Sequence, residues 1–288
     1  MMDRQSAQAI AIEQAKPMGW LTVALCVACA TVYAVAICIL LTTATWSWIA
    51  FAAMTFVAYA IYTPLHDAVH GAVSGGHRQW RWLNECVGMI SGHILGIPFY
   101  SHRREHLEHH RHTNHSERDP DIAYSAHSPR QWLKMLFRAL PLQYEFIARF
   151  DDFSDSDRRA IRWEIALIVL SRAVLLLVVA DPLITVATIV TAHFLGNAIL
   201  VSLFAWVVHH PHTETARFQQ TTIYRLEGVF DPIITALWLH QNYHAIHHLY
   251  PKVPFFRYRR TYLAMQDYLK AQGVPHFNWW ARPRANDA

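Results

Sequence analysis

Long apolar stretches alternate with polar segments along the chain. Two apolar stretches come early, at 19–44 and 46–65, and two come later, at 163–180 and 183–208. Each is close to the ~20 residues that an apolar helix needs to cross the hydrocarbon core of a bilayer. Within each pair only one or two residues intervene. The pattern therefore predicts four transmembrane helices arranged as two hairpins.

The two remaining long segments, 66–162 and 209–288, are mainly polar. Neither shows a strand-like alternation of any length, so both are predicted to be helical and to form one cap on the membrane domain. A shorter apolar segment, 86–101, is too short for a fifth span and predicts an interfacial or re-entrant helix. The expected fold is thus all-α and integral to the membrane, with a single domain over residues 1–288.

Composition and charge agree with a membrane protein. Hydrophobic residues make up 53% and charged residues only 16%, against roughly 25% charged in soluble domains. Of 25 Lys and Arg residues, all except Arg172 lie outside the four apolar stretches. Because positive charge collects on the cytoplasmic side, both termini and the cap are predicted to be cytoplasmic. The net charge of +4 is then a topology signal, and no nucleic-acid partner is expected.

Histidine is unusually frequent, with 20 residues in 288, and most of the chemistry lies in its spacing. Residues three and four apart on a helix share one face, close enough to bind one metal ion. Isolated histidines are more often hydrogen-bonding or surface residues, but repeated spaced clusters predict metal binding. The clusters are His66 and His70; His106, His109 and His110; His244, His247 and His248; and His209, His210 and His212 after the last apolar stretch.

The number of histidines limits the kind of metal site. Imidazole suits zinc, copper, iron and nickel. A structural zinc takes four ligands and a catalytic zinc takes three and a water, so eight or nine histidines are too many for one ion. Two ions fit the number. An all-nitrogen site at a membrane surface favours iron and O₂ chemistry over zinc hydrolysis, although ligand type alone leaves the metal open.

The three spaced clusters resemble the histidine boxes of the integral-membrane desaturase and hydroxylase superfamily. The resemblance implies a non-haem di-iron enzyme that uses O₂ and two electrons from a separate ferredoxin- or rubredoxin-like protein to attack an unactivated C–H bond of a lipid in the bilayer. The box at 66–71 resembles that of carotenoid ring ketolases and hydroxylases, and the box at 241–255, with Asp119-Pro120-Asp121, is most similar to that of β-carotene hydroxylases. Carotenoid ring hydroxylation is the expected reaction, and fatty-acyl desaturation or hydroxylation is the alternative.

The resemblance also implies individual roles. His209 is the expected ninth ligand by its position after the last span, with His210 and His212 as neighbours that could replace it. Some acyl desaturases have an Asn one turn earlier, where this chain has Ala205. His102 and His112 are expected to be supporting or surface residues. The implied iron ligands are His66, His70, His106, His109, His110, His209, His244, His247 and His248.

Several polar residues near the boxes are candidates for orienting the imidazole rings. Carboxylates often accept a hydrogen bond from the ring N–H of a metal-bound histidine. Since Asp119 and Asp231 precede prolines, they are also suited to begin turns. The candidates are Asp67, Asp119, Asp121, Asp231 and Asn242.

Two other classes of membrane protein fit the sequence less well. A membrane metal transporter needs ionisable groups inside its spans, and only Arg172 and His193 lie there. Arg172 could pair with Glu164 or extend to the membrane surface, so its role stays open. A haem-binding electron carrier needs paired histidines on facing spans, which this spacing does not provide.

Overall fold

A computed structural model describes residues 2–147, 153–226 and 228–278. The protein is mostly helical, with 73% of residues in helices. The predicted domain and cap extend into 148–152 and 279–288, which lie outside the described residues. The helices are α1 Arg4–Ala15, α2 Trp20–Thr42, α3 Ser47–Ala60, α4 Tyr62–Val69, α5 Trp82–Leu95, α6 Phe99–His112, α7 Pro129–Ile147, α8 Asp155–Val178, α9 Pro182–Leu200, α10 Val207–His209, α11 Phe230–Leu237, α12 His244–Leu249 and α13 Tyr258–Ala271, and the strands are β1 Ile223–Arg225 and β2 His276–Asn278.

Among the residues that the structure describes, three helical segments are long and apolar enough to cross a membrane. They are Trp20–Thr42, Ser47–Val69, in which α3 continues into α4, and Pro182–His209, in which a π-helical turn over Val201–Trp206 joins α9 to α10. These segments agree with the first, second and fourth apolar stretches of the sequence. The protein is therefore a membrane protein, and histidines lie at the ends of two of its spans.

Most of the third apolar stretch, 163–180, lies in α8, which ends at Val178. It is the only one of the four apolar stretches that contains charged residues, Glu164 and Arg172, while exposed leucines and valines run along its length. The backbone N–H of Ala180, just beyond α8, donates to the carbonyl of Leu40 near the end of α2 at 3.2 Å. The C-terminal ends of α2 and α8 therefore lie side by side. This contact supports two hairpins, but the fourth span stays a prediction.

The 86–101 segment turns back on itself. Helix α5 has 14 residues and is about 21 Å long at 1.5 Å per residue, too short to cross the bilayer. It ends at Gly96, whose φ of 78° is in the left-handed region that glycine tolerates. A Cβ at Gly92 would lie 2.4 Å from the carbonyl oxygen of Ile97, so the return to α6 requires glycine there. This short helix and tight turn fit the predicted re-entrant or interfacial segment.

Arg172 binds the end of that short helix. Its guanidinium donates to the carbonyls of His93 and Ile94, the latter at 3.3 Å. These carbonyls belong to the last turn of α5. Within the described chain, His93 otherwise accepts only a 3.3 Å bond from Gly96, and the residue four after Ile94 is a proline, which has no N–H to donate. Nε2 of His193 lies 3.1 Å from the same Ile94 oxygen. Arg172 of α8 and His193 of α9 therefore satisfy backbone carbonyls at the end of α5, where an unpaired buried carbonyl is costly.

Glu164 binds the start of the next helix. Its carboxylate accepts from the backbone N–H groups of Phe99 at 2.9 Å and Tyr100 at 3.3 Å. Glu164 and Arg172 thus bind different helix ends instead of each other. Negative charge at a helix N-terminus and positive charge at a C-terminus are each favoured by the helix dipole. Glu164 and Arg172 of α8 therefore hold the α5–α6 turn, and α6 carries three of the clustered histidines.

The C-terminal polar segment packs with α1. Ala7 and Ala11 of α1 are buried in one core with Ile246 of α12 and with Tyr258 and Tyr262 of α13. This core fixes α12, which carries three histidines. Beside it, β1 and β2 form a parallel two-stranded sheet, so the all-α prediction is wrong in this detail. Strands of three residues are too short to leave an alternating pattern in the sequence.

Candidate metal centre

Four helices end in one cluster of nine imidazoles. Helix α4 contributes two histidines, α6 three, α10 one and α12 three. The rings of His66 and His247 have centroids 4.0 Å apart, and those of His110 and His248 are 4.3 Å apart. All nine histidines implied by the sequence resemblance lie here: His66, His70, His106, His109, His110, His209, His244, His247 and His248.

The nitrogens of the cluster fall into groups that could each hold an ion. In every group, the potential ligand atoms lie within 4.8 Å of one another. Two nitrogens that bind the same ion at about 2.1 Å are at most about 4.2 Å apart. Small rotations of the imidazole rings would bring the nitrogens of each group within this limit. The first histidine group is His66, His70, His106 and His247, and the second histidine group is His109, His209 and His248.

His110 and His247 lie between the two groups. Together with His248, they form a third set that shares members with both. Nε2 of His110 is 2.8 Å from Nε2 of His247 and 3.1 Å from Nε2 of His106. His244 is also at the centre, with its ring centroid 4.8 Å from that of His248. The cluster is therefore continuous and large enough for two adjacent ions.

Burial keeps most of these rings neutral. Burial and neighbouring imidazoles lower the pKa of His70 and of His244 to about 3. The same two causes lower the pKa of the other box histidines on α6 and α12, apart from His109: His106, His110, His247 and His248. A neutral imidazole has a free lone pair, which is the form that binds a metal ion.

Unpaired buried nitrogens indicate that the cluster fits metal ions. Within the described residues, Nδ1 of His66, Nε2 of His70 and Nδ1 of His209 are buried without a hydrogen-bond partner. Leaving buried polar atoms unpaired is costly, and converging lone pairs also repel one another. Cations between the rings would remove both penalties, so this all-imidazole set fits a pair of metal ions.

Asp119 orients His109. Its carboxylate lies 2.8 Å from Nδ1 of His109, which leaves Nε2 to face the cluster. Asp121 is 3.5 Å from the same nitrogen. Burial alone would lower the pKa of His109, but the charges of Asp121 and Asp119 outweigh it and raise the pKa to about 9. A carboxylate commonly accepts a hydrogen bond from one ring nitrogen of a histidine whose other ring nitrogen binds a metal. The carboxylate fixes the ring orientation and makes the imidazole a stronger ligand.

Three uncharged residues orient the α12 histidines, and the sequence did not indicate them. Oε1 of Gln241 lies 2.8 Å from Nδ1 of His244, and the hydroxyl of Tyr258 lies 3.1 Å from Nδ1 of His247. Thr113 Oγ1 is 3.4 Å from Nδ1 of His248. A search limited to carboxylates misses such partners. Thr113, four residues after His109, and Gln241, three residues before His244, had helical spacings that could have indicated them.

Asp67 does not orient an imidazole among the described residues. Its carboxylate accepts from the hydroxyl of Thr22 at 2.6 Å and from the backbone N–H of Phe255 at 3.2 Å. It therefore ties α4 to α2 and to the segment after α12. The prediction of a ring-orienting role is wrong because these two tertiary contacts occupy the carboxylate.

Asp231 and Asn242 also have structural roles in the described part of the chain. Asp231 accepts from Nε of Arg259 at 2.8 Å and from the Tyr243 hydroxyl at 3.2 Å. Nδ2 of Asn242 donates to the carbonyl of Tyr224 at 3.0 Å. Both residues support the packing of α11–α13 rather than a ring of the cluster.

Of the neighbouring histidines, the structure brings only His209 into a group. His210 is exposed, and Nε2 of His212 lies 3.1 Å from the carbonyl of Trp206. His112 lies at the surface of α6, 3.7 Å from the carboxylate of Glu108. His102 is buried beside the cluster, in a cavity.

That cavity connects the histidines with the spans. Its apolar wall includes Leu95 and Ile97 from the α5–α6 turn and Leu200, Val201 and Phe204 from α9 and the π-helical turn. π-Helical turns frequently occur at functional sites. Its other wall contains His66, His106, His109, His209 and His244 of the cluster. An apolar molecule in this cavity would contact the imidazoles directly.

Comparison with known proteins agrees with this arrangement. The family model described as Fatty acid desaturase matches residues 42–280, most of the chain and all nine clustered histidines. The chain belongs to the fatty acid desaturase family. This family is of the histidine-box di-iron type, so the resemblance inferred from the boxes is confirmed at this level.

Relatives within the desaturase family are distant. The chain is 28% identical over 34% of its length to "Delta(12) fatty acid desaturase fat-2" of Caenorhabditis elegans, and 27% identical over 67% to the sn-1 oleoyl-lipid 12-desaturase of Anabaena variabilis. It is 24% identical over 73% to the β-carotene ketolase of Paracoccus sp. (strain PC1). The chain spans 24%, 63% and 76% of these proteins. All three are oxidoreductases by name.

Proposed function

We propose that this protein is an O₂-dependent membrane di-iron oxidoreductase that hydroxylates the ring of a β-carotene-type carotenoid. The observation that carries the proposal is the cavity, which joins an apolar wall of membrane helices to nine buried imidazoles. The reaction converts a C–H bond to C–OH. It consumes one O₂, two protons and two electrons and releases one water.

Iron ions held by the two histidine groups would supply O₂ activation and the oxidising power for C–H cleavage. The chain's own residues position the substrate and the ligands. Leu200, Val201 and Phe204 hold an apolar substrate beside the histidines. Asp119, Tyr258 and Gln241 fix the ring orientations. A rigid polyene loses little entropy on binding, and such positioning selects one of many similar C–H bonds.

The two electrons would come from a separate ferredoxin- or rubredoxin-like protein.

The Paracoccus ketolase favours a carotenoid substrate over an acyl chain. Among the three relatives, it is the one for which the match to this chain covers more than two thirds of the relative's own length. Fatty-acyl desaturation or hydroxylation is the second candidate, and it is favoured by the two desaturases among the same relatives.

Coexpression tests the reaction. In a host that makes β-carotene and is supplied with a ferredoxin and its reductase, we expect this protein to produce mono- and dihydroxylated carotenes, measured by chromatography and mass spectrometry. The His247→Ala variant is the inactive control, because it removes an imidazole shared by two of the nitrogen groups. Unchanged carotenes together with new double bonds or hydroxyls in host acyl chains would support the second candidate instead.

Orientation in the membrane is also a proposal. If both termini and the histidine cluster are cytoplasmic, Thr45→Cys and Ala180→Cys at the two hairpin turns should react with a membrane-impermeant maleimide added to intact cells. Ser116→Cys, exposed in the loop after α6, should react only after permeabilisation. The native cysteines give the background in the unsubstituted protein. Labelling of Ser116→Cys in intact cells would contradict this topology.

A further inference from the structure

The cavity beside the histidine cluster has polar groups that the proposed chemistry does not use. Tyr62, His102, Glu105 and Asn197 all line it. Two of them are nearly inaccessible, His102 at 4% exposure and Glu105 at 3%. Within the described chain, neither ring nitrogen of His102 nor Oε2 of Glu105 has a hydrogen-bond partner. Nδ1 of His102 and Oε2 of Glu105 are 3.6 Å apart, too far for a hydrogen bond but close enough to share one group.

The other charged residues of α6 form ion pairs with side chains outside the cavity. Arg103 binds Glu85 at 2.9 Å, and Arg104 lies 3.5 Å from Glu108. Glu105 has no such partner among the described ion pairs with arginine. Its burial next to an unpaired imidazole is therefore not explained by helix packing. Leaving buried polar groups unpaired is costly, so such a pair is expected to bind a ligand.

A single hydroxyl group satisfies both residues. Its hydrogen can be donated to the carboxylate oxygen of Glu105, and its oxygen can accept from a ring N–H of His102. A hydrocarbon in the same place would leave both groups unpaired. Sites that hydrogen-bond a hydroxyl strongly discriminate against analogues that lack it, for this reason.

The subsite lies close to the reacting centre. His102 is one helical turn before His106 on α6, and its ring centroid is 5.8 Å from that of His106. Glu105 directly precedes His106 in the chain. A hydroxyl held by His102 and Glu105 would therefore lie within a few carbon atoms of the carbon that faces the histidine cluster.

We propose that His102 and Glu105 form a binding subsite for a hydroxyl group near the reacting carbon, so that this enzyme prefers a lipid already hydroxylated there. The inference rests on the proposed function. For a carotenoid, the preferred ring already has one hydroxyl, and β-carotene itself binds more weakly. The substrate would then come from an earlier reaction that inserts oxygen into the same ring.

Binding measures the preference independently of turnover. The probes are β-carotene and zeaxanthin, which differ only by one hydroxyl on each ring, titrated into detergent-purified protein with tryptophan fluorescence quenching as the signal. We expect zeaxanthin to bind the unsubstituted protein about tenfold more tightly, or better. Glu105→Gln and His102→Phe should each reduce the ratio of the two affinities to about two or less, while β-carotene binding is retained.

Glu108→Gln is the matched control, since Glu108 is on the same helix but pairs at the surface with Arg104 and Arg111. It should leave the ratio unchanged. Iron content, measured on every variant, separates loss of the subsite from damage to the metal ligands. Equal affinity for the two carotenes in the unsubstituted protein, or an unchanged ratio in both cavity variants, would overturn the subsite.

The outcomes for the subsite and for the carotenoid assignment are distinct. If neither carotene binds, the carotenoid substrate is wrong, and the subsite is measured with methyl oleate and its hydroxylated counterpart methyl ricinoleate. A preference for ricinoleate that Glu105→Gln abolishes would uphold the subsite on an acyl substrate. No preference within that pair, or no binding at all, would overturn it as well.

Discussion

Protein purified from iron-replete cells is expected to contain two iron ions per chain, and the His247→Ala variant to lose iron and at least a hundredfold in activity. His247 is fully buried and belongs to two of the three nitrogen groups. Its Nδ1 is held by Tyr258 at 3.1 Å, so Nε2 is preoriented toward His110. Removing this ring opens both groups at once. Metal analysis by mass spectrometry, with activity on the same samples, measures the effect.

A buried histidine outside the groups controls for the loss of a large side chain. His212 is 7% exposed, and its ring nitrogen contacts a backbone carbonyl instead of the cluster. We expect His212→Ala to keep both iron ions even if its folded state is less stable. Active protein with stoichiometric zinc and no iron would contradict the di-iron assignment. Equal iron loss in both variants would show that His247 acts through folding alone.

The spans and the histidine boxes could be predicted because both are local patterns. The first apolar stretch predicts a helix over 19–44, and the helix extends over Trp20–Thr42. Apolar length and i, i+3, i+4 spacing depend only on residues within a few helical turns. His209 lies in the cluster because it directly ends a span, and its role as the ninth iron ligand stays a prediction.

The supporting residues could not be predicted in the same way, because their partners are distant in sequence. Asp67 is next to His66, yet its carboxylate binds a hydroxyl 45 residues earlier and a backbone N–H 188 residues later. Arg172 appeared able to pair with Glu164 on its own helix. Instead, each binds an end of the α5–α6 turn, which no periodicity reveals. Tyr258 lies 11 residues beyond His247 but on the next helix, α13, so no periodicity within α12 relates the two.

The Asp119→Asn variant is expected to bind iron 10- to 100-fold more weakly, which is the usual effect of removing a group that orients a metal-bound histidine. Asn preserves the shape of Asp119 but removes the negative charge beside Nδ1 of His109. The charge makes the ring a stronger ligand at Nε2, in the second histidine group. Asp119 also accepts from the backbone N–H of Asn114 at 2.6 Å, and this contact fixes the carboxylate. Iron retention during chelator competition measures the affinity.

Two matched substitutions show whether iron affinity depends on the negative charge beside His109 or falls whenever a buried carboxylate is removed. Asp121→Asn should have a smaller effect, because Asp121 is 3.5 Å from the same nitrogen and more exposed. Asp231→Asn should leave iron affinity unchanged, since Asp231 is equally buried but binds Arg259 and Tyr243 instead of a clustered ring. If Asp119→Asn and Asp231→Asn released iron at the same rate, Asp119 would act through stability. A selective loss in Asp119→Asn requires the charge at Nδ1, because the two substitutions remove the same group from equally buried positions.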